Sequence, residues 1–185
     1  MELAAAASAP VAETVTETAV EETAEASPAT AAPKGEPVGL VKPVLGHIVT
    51  LEEVPDPVFS GRVMGDGFAV IPTDGTFRAP VAGKLMLVAK TLHAYAIKAD
   101  NGAEVLVHIG IDTVKLKGEG FIGLRDQGDR VEVGDPIVQV DMAAVTPQVP
   151  SMATPVLVTN SKKFAVSAVD LGATDGEPVV TVTPK

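Results

Sequence analysis

The sequence predicts an all-β domain, a closed barrel or sandwich with little helix, preceded by a disordered tail. Three observations lead there. Gly and Pro, 17 and 15 of the 185 residues, break the chain into short segments rich in Val, Ile and Leu, and turn signals recurring every ~8–12 residues mark sandwiches and barrels. Turn-forming pairs stand between those segments: Asp66-Gly67 (preceded by Gly65), Asp74-Gly75, Asn101-Gly102 and Gly134-Asp135. No apolar period of the helical kind persists long enough for a long helix.

In chain order, the first element is the tail, assigned to residues 1–40. Up to Pro37 it is mostly Ala, Thr, Glu, Pro and Val, with no aromatic residue and Lys34 as its one base. Glu2, Glu13, Glu17, Glu21, Glu22, Glu25 and Glu36 make it acidic. Such a stretch buries too little apolar surface to offset its ordering entropy, and Pro10, Pro28, Pro33 and Pro37 limit any helix its Ala content favours. It reads as a solvated tail or a linker, and its acidity disfavours a membrane-surface helix. The domain, 41–185, offers candidate strands at 46–51, 68–72, 76–79, 83–88, 94–98, 104–109, 130–133, 137–140, 155–158 and 179–182. Residues 114–121 and 141–148 read as short helical pieces. Pro43 to Ile48 is echoed by Pro80 to Leu85, each holding a Pro-Val-x-Gly turn before a strand, which suggests a duplicated hairpin.

Composition removes several functions. Lys and Arg number 14 against 24 Asp and Glu, a net charge of −10, whereas nucleic-acid and anionic-membrane binders need clustered bases. With no Cys there is no disulfide, thiolate metal site or thiol nucleophile. The 46% hydrophobic content comes from Ala and Val rather than from long apolar runs, and nothing approaches the ~18–20 residues of a membrane span. Glu2 stands where a secretory signal would carry its basic region. A cytoplasmic location is the expectation.

The informative region is 90–120. Segments 94–98 and 104–109 flank a hairpin turn. If Asp100-Asn101 is a two-residue loop, His93 falls opposite His108. If Asn101-Gly102 is the loop, the two become diagonal neighbours. Either register puts both imidazoles on one face, with directly opposed Cβ atoms about 4.5–5.5 Å apart; an odd loop or a bulge would break that parity. Three uses remain open: a pair satisfied by carbonyls, half of a metal site, or a nucleophile with a helper. Thr91, two residues before His93, falls on the same face by parity and can orient it. Leu106 and Gly110 share the face of His108. Asp112 can accept from a ring N–H or a basic partner, and His47, without a companion, reads as a surface residue. The Ser residues lack a GxSxG elbow, and no Walker A loop is present.

Residues 102–114, GAEVLVHIGIDTV, resemble the active-site signature of the glucose-type IIA components of the bacterial phosphoenolpyruvate-dependent sugar phosphotransferase system, and the likeness continues through 117–121, KGEGF. Upstream, 54–59 (VPDPVF), 65–67, 79–81 and 91–94 (TLHA) fall at similar spacing, as do 131–136 and 154–156 downstream. The resemblance implies a compact antiparallel sandwich or barrel. It implies that His108 takes a phosphoryl group on Nε2 from the phosphohistidine of the carrier HPr and passes it to the cysteine of a IIB domain or IIBC permease, with His93 steadying the phosphoryl oxygens and Thr91 orienting His93. It implies that Asp56 and Asp112 meet basic partner residues, and that Val58, Phe59, Val63, Met64 and Leu106 form an apolar docking patch. No cofactor is obligatory; His93 and His108 can hold zinc weakly with a partner carboxylate.

The chain departs from the family pattern at Ala89, where an aromatic can stand, and at Leu106, where some members carry Phe. Pro147 and Pro150 shorten a helical segment. Without Cys or apolar spans the chain holds neither a IIB cysteine nor a transport domain. Other readings are a regulatory module that binds target proteins according to phosphorylation, a zinc hydrolase (disfavoured, since no H-x-H pair with a third ligand is present) and a biotinyl or lipoyl carrier (disfavoured, since Lys84 and Lys90 lack the carrier context).

Overall fold

The computed structural model describes residues 35–185. The tail assigned to 1–40 lies outside the described residues up to position 34. Its last residues are already folded: β1 begins at Val38. The strands run β1 Val38–Val41, β2 Gly46–Val49, β3 Asp66–Pro72, β4 Thr76–Arg78, β5 Gly83–Val88, β6 Ala94–Ala99, β7 Glu104–His108, β8 Phe121–Gly123, β9 Arg130–Val131, β10 Pro136–Val140, β11 Thr154–Val158, β12 Phe164–Val166 and β13 Pro178–Pro184. Two helices of one turn join them, α1 Pro57–Ser60 and α2 Met142–Val145, along with three 3-10 turns. The all-β expectation holds, and every strand pairing is antiparallel.

A seven-stranded sheet in the order β2-β3-β11-β7-β6-β5-β9 forms the floor. Alternation along its strands divides the side chains between two faces. Phe68, Val70, Tyr95, Ile97, Val105, Val107, Val156 and Val158 point into the main core, each such burial contributing about 1.5–3 kcal/mol. Two three-stranded sheets, β1-β13-β12 and β4-β10-β8, add Leu40, Phe77, Val138, Val180 and Val182 to that core. Its largest side chain, Tyr95, is fully buried and satisfies its hydroxyl by donating to the Arg78 carbonyl at 2.6 Å. The opposite face carries Ala69, Ala94, Ala96, Leu106 and Leu157, and the β2–β3 connection brings Leu51, Val54 and Phe59 against them. This second, smaller cluster is the bed on which the site lies.

The Pro-Val-x-Gly echo marks two equivalent strand starts. Gly46 and Gly83 open β2 and β5, and a Cβ on either would sit 2.1 Å from the carbonyl oxygen of the facing strand, Ile71 or Lys98. The pairs β2–β3 and β5–β6 flank β11 and β7 on either side, as a duplicated hairpin would. Three strands, β1, β8 and β12, and helix α1 were not expected. In α1, Asp56 caps the first turn by accepting from the Val58 N–H at 2.8 Å, with Pro57 at the first helical position. The helical piece expected over 114–121 shrinks to a 3-10 turn, Thr113–Leu116, before β8 begins. The piece at 141–148 is α2 followed by a 3-10 turn at Thr146–Gln148, cut short at Pro147 and Pro150.

Candidate active site

His108 ends β7 and His93 immediately precedes β6. Their ring centroids lie 5.2 Å apart, edge to face at 71°. The two rings meet as expected, but not by the expected route. The β6–β7 loop has three residues, Asp100-Asn101-Gly102: the Ala99 N–H donates to the Ala103 carbonyl at 2.8 Å, and Gly102 takes φ +94°. Both two-residue registers are therefore corrected. Ala94, not His93, stands opposite His108, and the His93 carbonyl instead accepts from the Ile109 N–H at 2.7 Å.

In continued strand geometry that odd loop would send the His93 side chain to the core face, beside the fully buried Ile109. The preceding turn cancels the error. Leu92 sits in the left-handed region at φ +58° and donates to the Ala89 carbonyl at 2.8 Å, so His93 leaves the strand pattern and its ring swings back to His108. Thr91 is likewise in a turn, not on a strand. Its hydroxyl nonetheless meets Nδ1 of His93 at 2.5 Å.

The tautomer of His108 follows from its partner. Nδ1 lies 2.8 Å from the Gly110 carbonyl, which can only accept, so Nδ1 carries the proton and Nε2 carries the lone pair in the neutral ring. Gly110 takes φ +66°, and a Cβ there would meet Thr113 Cγ2 at 2.7 Å. The Phe59 ring packs on the other side of His108, at 5.1 Å and 53°. Burial pushes His108 below the ordinary imidazole range; the Gly110 hydrogen bond and the charges of Asp56 and Asp112 act against that shift. Burial, and then repulsion from a charged His108, also lowers His93. Both rings are therefore held neutral near pH 7, each with one lone pair and one N–H.

Asp56 and Asp112 flank His108 while doing local work: Asp56 caps α1, and Asp112, itself left-handed at φ +61°, pairs with Lys115 at 2.9 Å. Among the residues expected in the docking patch, Val63 is 77% exposed, with Met64 at 42% and Val58 at 40%. Phe59 and Leu106 are 6% and 8% exposed, so they support the face from beneath rather than line it. His47 is exposed on β2, away from the imidazole pair.

Two contributors escaped the sequence reading. One is the Gly110 carbonyl, invisible because any residue has one. The other is Leu87. A bulge between Leu85 and Leu87 pairs Leu87 with Ala96, which moves it from the core face to the face of His108, where it is 44% exposed. The signal was the unbroken apolar run 85–88, which a strand with one solvated face does not need.

Comparisons with known proteins converge on one family. The family described as phosphoenolpyruvate-dependent sugar phosphotransferase system, EIIA 1, matches residues 38–164. A PTS system glucose-specific EIIA component of Halalkalibacterium halodurans is 49% identical over 124 residues, covering 67% of this chain and 72% of the relative. One of Bacillus cereus is 41% identical over 149 residues, covering 79% and 90%. The solved structure of glucose permease IIA from Mycoplasma capricolum superimposes with a TM-score of 0.75 at 40% identity, covering 79% of this chain and 96% of that one.

Proposed function

The chain belongs to the EIIA 1 family of the phosphoenolpyruvate-dependent sugar phosphotransferase system, and from that premise we propose that it is a glucose-type phosphocarrier whose reactive atom is Nε2 of His108. The observation that carries this reading is the hydrogen bond from Nδ1 to the Gly110 carbonyl, which leaves Nε2 with its lone pair and fixes the ring plane.

Nε2 attacks the phosphorus of phosphohistidine on HPr. The new P–N bond forms as the donor's P–N bond breaks, and the donor ring keeps that electron pair. In the second transfer a cysteine thiolate of a IIB domain or IIBC permease attacks the same phosphorus, and the P–N bond to His108 returns its electrons to Nε2. Little covalent assistance is needed, so positioning and charge stabilisation carry both steps. His93, with the Thr91 hydroxyl donating to Nδ1, keeps its proton on Nε2 and donates it to a phosphoryl oxygen. Val58, Val63, Met64 and Leu87 supply the apolar contact with HPr and IIB, while Asp56 and Asp112 attract basic residues at its rim. A phosphoryl group on His108 adds negative charge beside that surface, so target proteins that read the phosphorylation state are a second use of it.

Zinc fits only in part. The described residues hold no group of three His, Cys, Asp or Glu side chains that could bind a metal, so His93 and His108 provide two donors and a partner must provide the rest. No step of the transfer uses zinc. Among the described residues no helix is long and apolar enough to cross a membrane; the proposed site of action is the cytoplasm, where both partners present themselves.

The test is incubation with phosphoenolpyruvate, enzyme I and HPr. Acid-labile phosphate is expected on the chain and absent from His108→Gln. Equal labelling of that variant overturns the assignment.

A further inference from the structure

The loop that follows β7 does not continue as a strand. Strand alternation would put Ile109 and Ile111 on one face. Instead Ile109 enters the main core and Ile111 the smaller cluster that beds the imidazoles. Gly110 between them makes that crossing at φ +66°, and Asp112 is left-handed as well, at φ +61°. A residue with a Cβ stays in that region only where its surroundings fix it. At the end of the loop stands Thr113, a fully buried polar residue that the transfer steps at Nε2 of His108 do not touch.

Hydrogen bonds hold the loop from several sides. The Ile109 N–H donates to the His93 carbonyl at 2.7 Å, and the Ile111 N–H to the Ser151 carbonyl at 2.8 Å. Nδ1 of His108 donates to the Gly110 carbonyl at 2.8 Å. The Thr113 hydroxyl completes the set by donating to the Ile109 carbonyl at 2.5 Å. A Thr hydroxyl that bonds a carbonyl four residues back is commonplace inside helices, but Ile109 to Asp112 form no helix, and among the described residues the Ile109 carbonyl has no other donor. Thr113 also touches the next residue: its Cγ2 lies 2.7 Å from where a Cβ on Gly110 would stand. It therefore grips the Ile109–Gly110 peptide at two points, with the hydroxyl on one carbonyl and the methyl against the neighbouring Cα. That stretch of backbone serves both rings, since Ile109 binds the backbone of His93 and Gly110 accepts the His108 proton.

We propose that Thr113 is a positioning residue for phosphoryl transfer: its hydroxyl fixes the Ile109–Gly110 peptide, which aims the Gly110 carbonyl at Nδ1 of His108 and so keeps the lone pair on Nε2. Thr113 acts on the ring only through that backbone. Its effect on transfer rests on the proposed carrier function; its effect on the tautomer of His108 does not. Because Thr113 is fully buried, it makes no contact with HPr, and its removal leaves docking as it is.

Thr113→Val keeps the methyl and removes the hydroxyl; Thr113→Ser does the reverse. In ¹⁵N-labelled protein without a phosphoryl donor, Thr113→Ser is expected to keep the wild-type pattern at His108, Nδ1 protonated and Nε2 bare. In Thr113→Val both ring nitrogens are expected to move toward values averaged over the two tautomers. With phosphorylated HPr as donor, kcat of Thr113→Val should fall about 10–100-fold, the scale of a misplaced reacting group, while KM stays within about twofold and Thr113→Ser keeps kcat within about threefold of the wild type. A wild-type tautomer pattern in Thr113→Val overturns the proposal, as does a loss of kcat in Thr113→Ser equal to that in Thr113→Val. Should Thr113→Val fail to fold, Thr113→Ala against Thr113→Ser makes the same comparison in a site that lacks the methyl in both. If the wild-type chain takes up no phosphate, the carrier reading falls and the tautomer comparison still decides the role of Thr113.

Discussion

At the scale of single residues, the site depends on where two protons sit. The Gly110 carbonyl holds one on Nδ1 of His108, and burial keeps both rings neutral by lowering their proton affinity. Acceptance of phosphate should therefore be constant from pH 8 to about 6.5 and fall only below the ordinary imidazole value; kcat/KM against pH, with HPr as donor, measures this. The same lowered affinities govern stability. Below about pH 6.5 the unfolded chain binds protons that the folded rings refuse, so stability is full above that value and declines as pH falls toward the folded values. A thermal-melting series from pH 7.5 to 5 should show the fall, and His93→Gln should reduce it. Removing the Thr91 hydroxyl with Thr91→Val should leave acceptance by His108 intact and slow onward transfer about tenfold, the worth of one charge-assisted hydrogen bond, with Thr91→Ser restoring it. Equal loss in both steps would mark Thr91 as merely structural.

At the scale of elements, two irregularities build the face. The three-residue β6–β7 loop shifts the register, and the left-handed Leu92 turn restores His93 to the side of His108. The sequence reading reached the right juxtaposition through a register that does not occur, because Asn101-Gly102 looks like a two-residue turn until Asn101 Oδ1 is seen accepting from the Ala103 N–H at 3.0 Å. The bulge in β5 was equally hidden, and Leu87 with it. Legible from sequence were the strands bounded by Gly and Pro, β5 above all, whose limits were read as 83–88. Short β8 and β12 were not legible, since three residues carry too little pattern to separate strand from loop. Gly83→Ala, with its Cβ 2.1 Å from the Lys98 carbonyl, should cost about 2–4 kcal/mol in denaturant unfolding. Leu87→Asp, on a half-exposed site, should leave stability unchanged while raising KM for phosphorylated HPr with kcat retained.

At the scale of the molecule, one sheet does two jobs. One face is sealed by two smaller sheets into the main core, and the other keeps small residues, Ala69, Ala94 and Ala96, so that the imidazoles lie in a shallow, approachable bed. Charge divides along that face, with Asp56 and Asp112 at the imidazole end and Lys84 and Lys98, paired across β5 and β6, at the other. This division was not legible in sequence, because the two lysines stand apart along the chain and only strand pairing brings them together. The signature around His108 was legible because its residues are contiguous. The central claim is that Nε2 of His108 carries the phosphoryl group. Nitrogen-resolved NMR of the ¹⁵N-labelled protein, phosphorylated through phosphoenolpyruvate, enzyme I and HPr, tests it most directly. Phosphorus coupled to Nε2 of His108, with the Nδ1 proton retained, is the predicted result; phosphorus on Nδ1 of His108, or on either nitrogen of His93, would contradict it.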